Sequence, residues 1–116
     1  MSKEDELGKE ILGRIAELLG RKIENVYPRS TYTDAGKQLD AWAFNYYRAN
    51  DYGDLIFVYY KTTVTIYLLK VYEIRNRLMV IDLNNPKSLT RAYLRNCVKE
   101  CQLMIRNGIP DEVRHA

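Results

Sequence analysis

The chain is short of the residues from which most catalytic and metal sites are built. Its single histidine is His115, near the end of the sequence, and its two cysteines are Cys97 and Cys101. One histidine in the tail neither activates an internal cysteine nor completes a zinc ligand set, so no metal site is expected. Two cysteines form no secreted disulfide framework, and a reducing, cytoplasmic setting is the expectation. A glycine-rich phosphate loop is also missing, which leaves nucleotide binding without support and no cofactor expected. No apolar run approaches the ~20 residues of a membrane span. The opening Met1-Ser2-Lys3-Glu4-Asp5-Glu6 is too charged for a secretory signal. Neither an internal repeat nor a low-complexity tract is present.

What remains is an ordinary globular balance with two biases. The 116 residues are 47% apolar and 28% charged, enough for one hydrophobic core, so residues 1–116 are expected to form a single domain. The first bias is ten tyrosines against two phenylalanines and one tryptophan. Tyrosine buries its ring but needs a partner for its hydroxyl, so this number suits half-buried sheet faces or an aromatic contact surface. The second bias is charge. Residues 61–106 carry nine Lys/Arg against three Asp/Glu, whereas residues 1–60 carry eight against ten. Asymmetry of this kind points to one positively charged side.

The centre of the chain, from Leu39 to Leu83, reads as a sheet. Trp42–Tyr47, Leu55–Tyr60, Val64–Ile74 and Leu78–Leu83 are rich in aromatic and β-branched residues, with Arg75-Asn76-Arg77 as the break before the last run. Val64–Ile74 is expected to be a strand, although Val64, Leu68 and Val71 would also share one face of a helix. Turns are expected over Asn50–Asp54 and near Lys61-Thr62-Thr63. Ile23–Tyr27 predicts a short strand stopped by Pro28, and Arg29–Gln38 a polar loop.

Helices flank this sheet. Leu7, Ile11, Ile15 and Leu19 recur every four residues and predict a helix from about Lys3 to Leu19, capped by Gly20. Gly8 and Gly13 each weaken it by about 1 kcal/mol relative to alanine, unless they allow close packing on the sheet. A second helix is expected to open at Asn84-Asn85-Pro86, with Asn85 or Ser88 as cap, and to run to about Arg106 before a frayed tail. At about 100° per residue, Leu89, Tyr93, Leu94, Cys97, Val98, Cys101, Met104 and Ile105 share one side of it. Arg91, Arg95, Lys99 and Arg106 share the other, with Gln102 among them and Lys87 just before. The pattern therefore predicts an α+β fold: an N-terminal helix, an antiparallel sheet of four to five strands, and a C-terminal amphipathic helix packed on one sheet face.

Two partial motifs lie in the sheet. Gly36…Leu39-Asp40-Ala41-Trp42 followed by Val58-Tyr59-Tyr60-Lys61-Thr62-Thr63 loosely resembles the restriction-endonuclease-like nucleases over residues 7–63. The resemblance implies Asp40 as a metal-binding aspartate and Lys61 as the lysine that positions a water. Tyr59 stands where the second acid belongs, and tyrosine is a poor Mg²⁺ ligand. Gly53-Asp54-Leu55-Ile56-Phe57-Val58-Tyr59-Tyr60 echoes the aromatic strand of RNA-recognition motifs, whose rings stack on bases. Hairpin core is the preferred reading of it.

The expected function is that of a non-enzymatic binding module. Stoichiometric contact would run through Lys87, Arg91, Arg95, Lys99 and Arg106, with Tyr46, Tyr59, Tyr67 and Tyr72 as a secondary aromatic surface. An acidic protein surface and a nucleic acid both suit a basic helix as partner, and a membrane does not. In type, the chain is similar to small accessory proteins of phages and archaeal viruses, including inhibitors of host defence such as anti-CRISPR proteins. A nuclease, or an inactive nucleic-acid-binding relative of one, is the alternative. A structural subunit that forms homo-oligomers through its aromatic sheet is the third reading.

Overall fold

The four-residue apolar repeat near the N-terminus folds as α1 (Lys3–Leu18) in the computed structural model, which describes residues 3–22, 26–48, 53–71 and 73–116. Its buried stripe is Leu12, Ile15, Ala16 and Leu19, whereas Leu7 at the start of the repeat is 46% exposed. In this turn the helix meets the sheet through Gly8, which is buried. A Cβ there would sit 2.6 Å from Cδ1 of Tyr59, so the bare backbone lets the helix rest on the ring. Trp42 Nε1 donates to Asp5 Oδ1 at 3.2 Å and ties the same helix to the sheet.

Five strands follow: β1 (Val26–Asp34), β2 (Lys37–Arg48), β3 (Asp54–Tyr60), β4 (Thr63–Lys70) and β5 (Glu73–Asp82). Each pairs antiparallel with the next. The sheet is nonetheless mixed rather than antiparallel. β1 also meets β5 in parallel at Thr33↔Glu73 and Asp34↔Ile74, so the meander curls until its first and fifth strands touch. After α2 (Arg91–Asn107), the two-residue β6 (Arg114–His115) lies parallel to β5. The end of the chain is therefore held, with the Ala116 N–H donating to the Val80 carbonyl at 2.9 Å, and is not frayed.

The strands also correct expectations drawn from the sequence. The polar stretch Arg29–Gln38 is not a loop but the body of β1 and the start of β2, joined by Ala35-Gly36. Both turn residues have positive φ, 51° and 80°, the signature of a type I′ hairpin turn whose twist matches the strands it joins. Pro28 does not stop β1. The register shifts between Tyr27 and Ser30, and such an irregularity accommodates a residue that has no N–H to donate. Residues 23–25 of the expected first strand and 50–52 of the expected turn lie outside the described residues.

The run Val64–Ile74 is two strands, and the helical alternative is excluded. Lys70 pairs with Glu73, with Val71 in the turn that follows β4. Val71 takes φ 52° there and is 83% exposed, an unfavourable place for a β-branched residue. Arg75-Asn76-Arg77, read as the break, runs inside β5. Between β3 and β4 the turn falls at Lys61-Thr62, as expected, and Lys61 also has positive φ.

Alternation along the strands builds two apolar layers. Trp42, Phe44, Leu55, Phe57, Tyr59, Val64, Ile66, Leu68, Met79 and Ile81 face the helices and form the main core with them. Ala43, Ile56, Val58, Leu69 and Ile74 point the other way and form a smaller cluster with Tyr67 at its margin. α1 lies over β1, β2 and β3, and α2 over β5. Among the described residues, no helix is long and apolar enough to cross a membrane.

Candidate functional site

Helix α2 starts later than its sequence suggests, at Arg91 with Thr90 as N-cap. Residues 84–90 are consumed by polar turns instead. The Asn84 N–H donates to Asp82 Oδ1 and the Lys87 N–H to Asn85 Oδ1, so both side chains hold the loop rather than cap the helix. Thr90 Oγ1 accepts from the Tyr93 N–H at 3.4 Å, and the Gly108 N–H closes the other end on the Met104 carbonyl.

Leu94, Cys97, Val98, Cys101 and Met104 are buried against β5 and α1, which fixes the rotation of the helix. Everything opposite them is forced outward. Arg91, Arg95, Lys99 and Arg106 are all exposed, and they lie within an arc of about 80° along about 22 Å of axis. Gln102 lies between them, half-buried, and Lys87 is exposed on the loop before the helix. The one acid on α2, Glu100, sits at the border with the buried side, next to the thiols.

The other basic residues between positions 61 and 106 are occupied. Lys61 Nζ lies 5.2 Å from the centroid of the Tyr60 ring, Arg75 approaches Glu73 at 3.8 Å, and Lys70 and Arg77 also have partners. None of the five cations on and before α2 has an ion-pair partner among the described residues. Charge asymmetry that was diffuse in the sequence is concentrated by the fold on one helix face.

The two cysteines are buried and unbonded to each other. Burial pushes the Cys97 thiol up to about 11, with the Glu100 carboxylate adding to it. Burial also raises Cys101 to about 12, with Cys97 and then Glu100 adding. Both are protonated at neutral pH and unreactive as nucleophiles. The Tyr93 hydroxyl is raised too, chiefly by burial and then by Cys97 and Asp82. Asn85 offsets part of that shift without being placed to complete a hydrogen bond, so the hydroxyl stays unpartnered, as does the buried Ser88 Oγ. No group of three or more His, Cys, Asp or Glu that could hold a metal occurs among the described residues.

The aromatic surface divides. Tyr59 is 5% exposed under Gly8 and is a core residue. Tyr46 is half-buried beside Phe44 and Phe57, and the Arg21 guanidinium covers its ring at 4.6 Å. Tyr67 is half-buried at the margin of the smaller cluster, and Tyr72 lies outside the described residues. The exposed ring of this hairpin is Tyr60, at 60%. Strand alternation from Tyr59 could have found it, since neighbouring residues in a strand face opposite ways. Phe57 and Val58 are buried, so the stretch that echoes RNA-recognition motifs is hairpin core.

Of the nuclease pattern, two positions lie among the described side chains. Lys61 sits in the β3–β4 turn with its amine over Tyr60, and Tyr59 at the acid position is buried. Asp40 belongs to β2 and pairs with Thr31 of β1, while its side chain lies outside the described residues. No protein family, no curated protein and no solved structure matches the chain.

Proposed function

We propose that the protein is a non-enzymatic binding module that engages a polyanionic macromolecule stoichiometrically through the outward face of α2. One observation carries this: Arg91, Arg95, Lys99 and Arg106 share an exposed face of α2 without an acid among them, Lys87 is exposed on the loop before it, and none of the five has an ion-pair partner among the described residues. Like charges at i,i+4 spacing destabilise a helix by about 0.2–0.5 kcal/mol per pair, so Arg91, Arg95 and Lys99 do not serve α2 itself. A contact surface gives them a use. A viral accessory role, such as inhibition of a host defence complex, would employ such a face to occupy a nucleic-acid or acidic-protein site. Viral or defence genes beside this one would support that role.

Replacing Arg91, Arg95, Lys99 and Arg106 together by glutamine tests the reading. The melting temperature is expected to hold, since exposed substitutions shift stability by about 0.5 kcal/mol or less. Binding to polyanions such as heparin and to cognate partners is expected to fall and to lose its salt dependence. A correctly folded variant that binds as the parent does returns this face to plain solvation.

A further inference from the structure

We infer that the partner of the α2 face is a nucleic-acid duplex gripped by its phosphate backbone without regard to sequence, rather than an acidic protein. The inference rests on the binding-module reading and goes on to name the class of partner.

The composition of the face separates the two. Protein interfaces take most of their affinity from buried aromatic or aliphatic anchors seated in pockets, with charges at the rim. The exposed side of α2 offers Arg91, Ala92, Arg95, Asn96, Lys99, Arg106 and Asn107, and its one large apolar group is Leu103, at 41% exposure. No aromatic ring lies on it. Such a face has cations and hydrogen-bond donors in plenty and no anchor.

A phosphate backbone asks for that composition. Duplex nucleic acid carries about one negative charge per 1.7 Å of axis. A cationic row about 22 Å long therefore finds charge along its whole length. Three of the four helix cations are arginines, whose planar guanidinium matches phosphate in a two-pronged hydrogen bond. Arg91, Arg95 and Lys99 recur on successive turns, about 6 Å apart along the axis, which makes a line of contacts rather than a single socket. The absence of an exposed ring on α2 argues against base stacking on that face and so for a duplex over a single strand. Tyr60, the exposed tyrosine among the described side chains, belongs to the β3 residues that alternate away from the helix-covered side.

The experiment is a fluorescence-anisotropy titration of the full chain against two unrelated 20-base-pair duplexes, with a polyglutamate peptide in parallel. The same series is run on the quadruple glutamine variant and on a control with Lys3, Lys9, Arg14 and Lys22 changed to glutamine. That control removes as much charge from the α1 side. Both duplexes are expected to bind within about threefold of each other. With four phosphate contacts, affinity should fall about 100-fold between 50 and 200 mM salt. The α2 variant should lose most of the binding, and the control should stay within about threefold of the parent. Absence of duplex binding at 50 mM salt overturns the inference, as does a strong preference for one sequence. If polyglutamate alone binds, and only with α2 intact, the module reading survives and its partner is an acidic protein. If duplex binds equally well without the α2 cations, or if the control loses as much, the seat on α2 is wrong and both readings fall together.

Discussion

The two helices lie against the same face of the sheet and do the same work there. Leu12, Ile15, Ala16 and Leu19 of the α1 segment and Leu94, Cys97, Val98, Cys101 and Met104 of α2 enter one core. Outward they differ. α1 exposes Lys3, Glu6, Lys9, Glu10, Arg14 and Glu17, both signs interspersed at the three- and four-residue spacings that let opposite charges meet. The charged residues that α2 exposes are all cations. An amphipathic helix needs only a polar outer face, and mixed charge supplies one at no cost in repulsion. The difference shows that packing explains the inner side of α2 and does not explain its outer side.

The inner faces can be tested for equivalence first, where the effects are largest. Leu12→Ala and Leu94→Ala each remove a fully buried side chain from the shared core. Each is expected to cost about 2–5 kcal/mol in urea unfolding. A loss confined to one helix would show that the other is dispensable to the fold and end the comparison.

Chemistry peculiar to α2 comes next. Its thiols ionise around 9.0 when free and at about 11 and 12 in the fold. Above pH 9 the unfolded chain therefore releases protons that the folded chain still holds. Stability is full below that value and falls as pH rises toward 11–12, with a slope of up to about 1.4 kcal/mol per pH unit for each thiol. A Cys97→Ala/Cys101→Ala variant should be less stable at pH 7 but show a flatter decline at alkaline pH. An unchanged slope would mean the thiols are accessible, contrary to their burial.

Close approach is peculiar to α1. Gly8→Ala improves helix propensity by about 1 kcal/mol. It also drives a methyl group to 2.6 Å from the packed Tyr59 ring. Overpacking of this kind costs about 1–3 kcal/mol, so thermal melting should report a net loss of stability or, at best, no gain. Tyr59→Leu in the same background should recover part of it. The β4–β5 turn provides a reference outside both helices. Val71→Asn relieves a β-branched residue at positive φ and should stabilise by about 1 kcal/mol without altering binding.

The outer faces are expected to give the smallest change in stability and the sharpest contrast in function. Glutamine at the four α2 cations, or at Lys3, Lys9, Arg14 and Lys22, should shift unfolding by about 0.5 kcal/mol or less in either case. Affinity for polyanions should follow α2 alone.

Much of this architecture was legible in residue order, because periodicity records which side of an element is buried. The helix of Lys3–Leu18, the hairpin of Leu55–Tyr60 with its turn at Lys61-Thr62, and the sorting of Leu94 and Cys101 from Arg91 and Lys99 all follow from spacing. Turns made without their usual residues were not legible. Val71 carries no turn signal, so two strands read as one, while the threonines and tyrosines of β1 were hidden among Ser30, Asp34 and Gly36, which do look like loop. Asn85 resembled a cap because an asparagine that holds an Asx turn and one that caps a helix are the same residue until the next contacts are known.

The candidate site divides along the same line. Sequence alone determined that Arg91, Arg95, Lys99 and Arg106 share a helix face and that no internal histidine serves Cys97 or Cys101. The fold decided which cations are left over, because the strand or turn a residue sits in sets whether a neighbouring side chain can reach it. It set Arg75 near Glu73 within β5 and Lys61 over the adjacent Tyr60, and among the described residues it left the α2 row without an ion-pair partner. It also decided which tyrosines are surface. Tyr59 and Tyr60 are adjacent and chemically identical; strand alternation turns them to opposite sides, and the approach of α1 through Gly8 decides which side is buried.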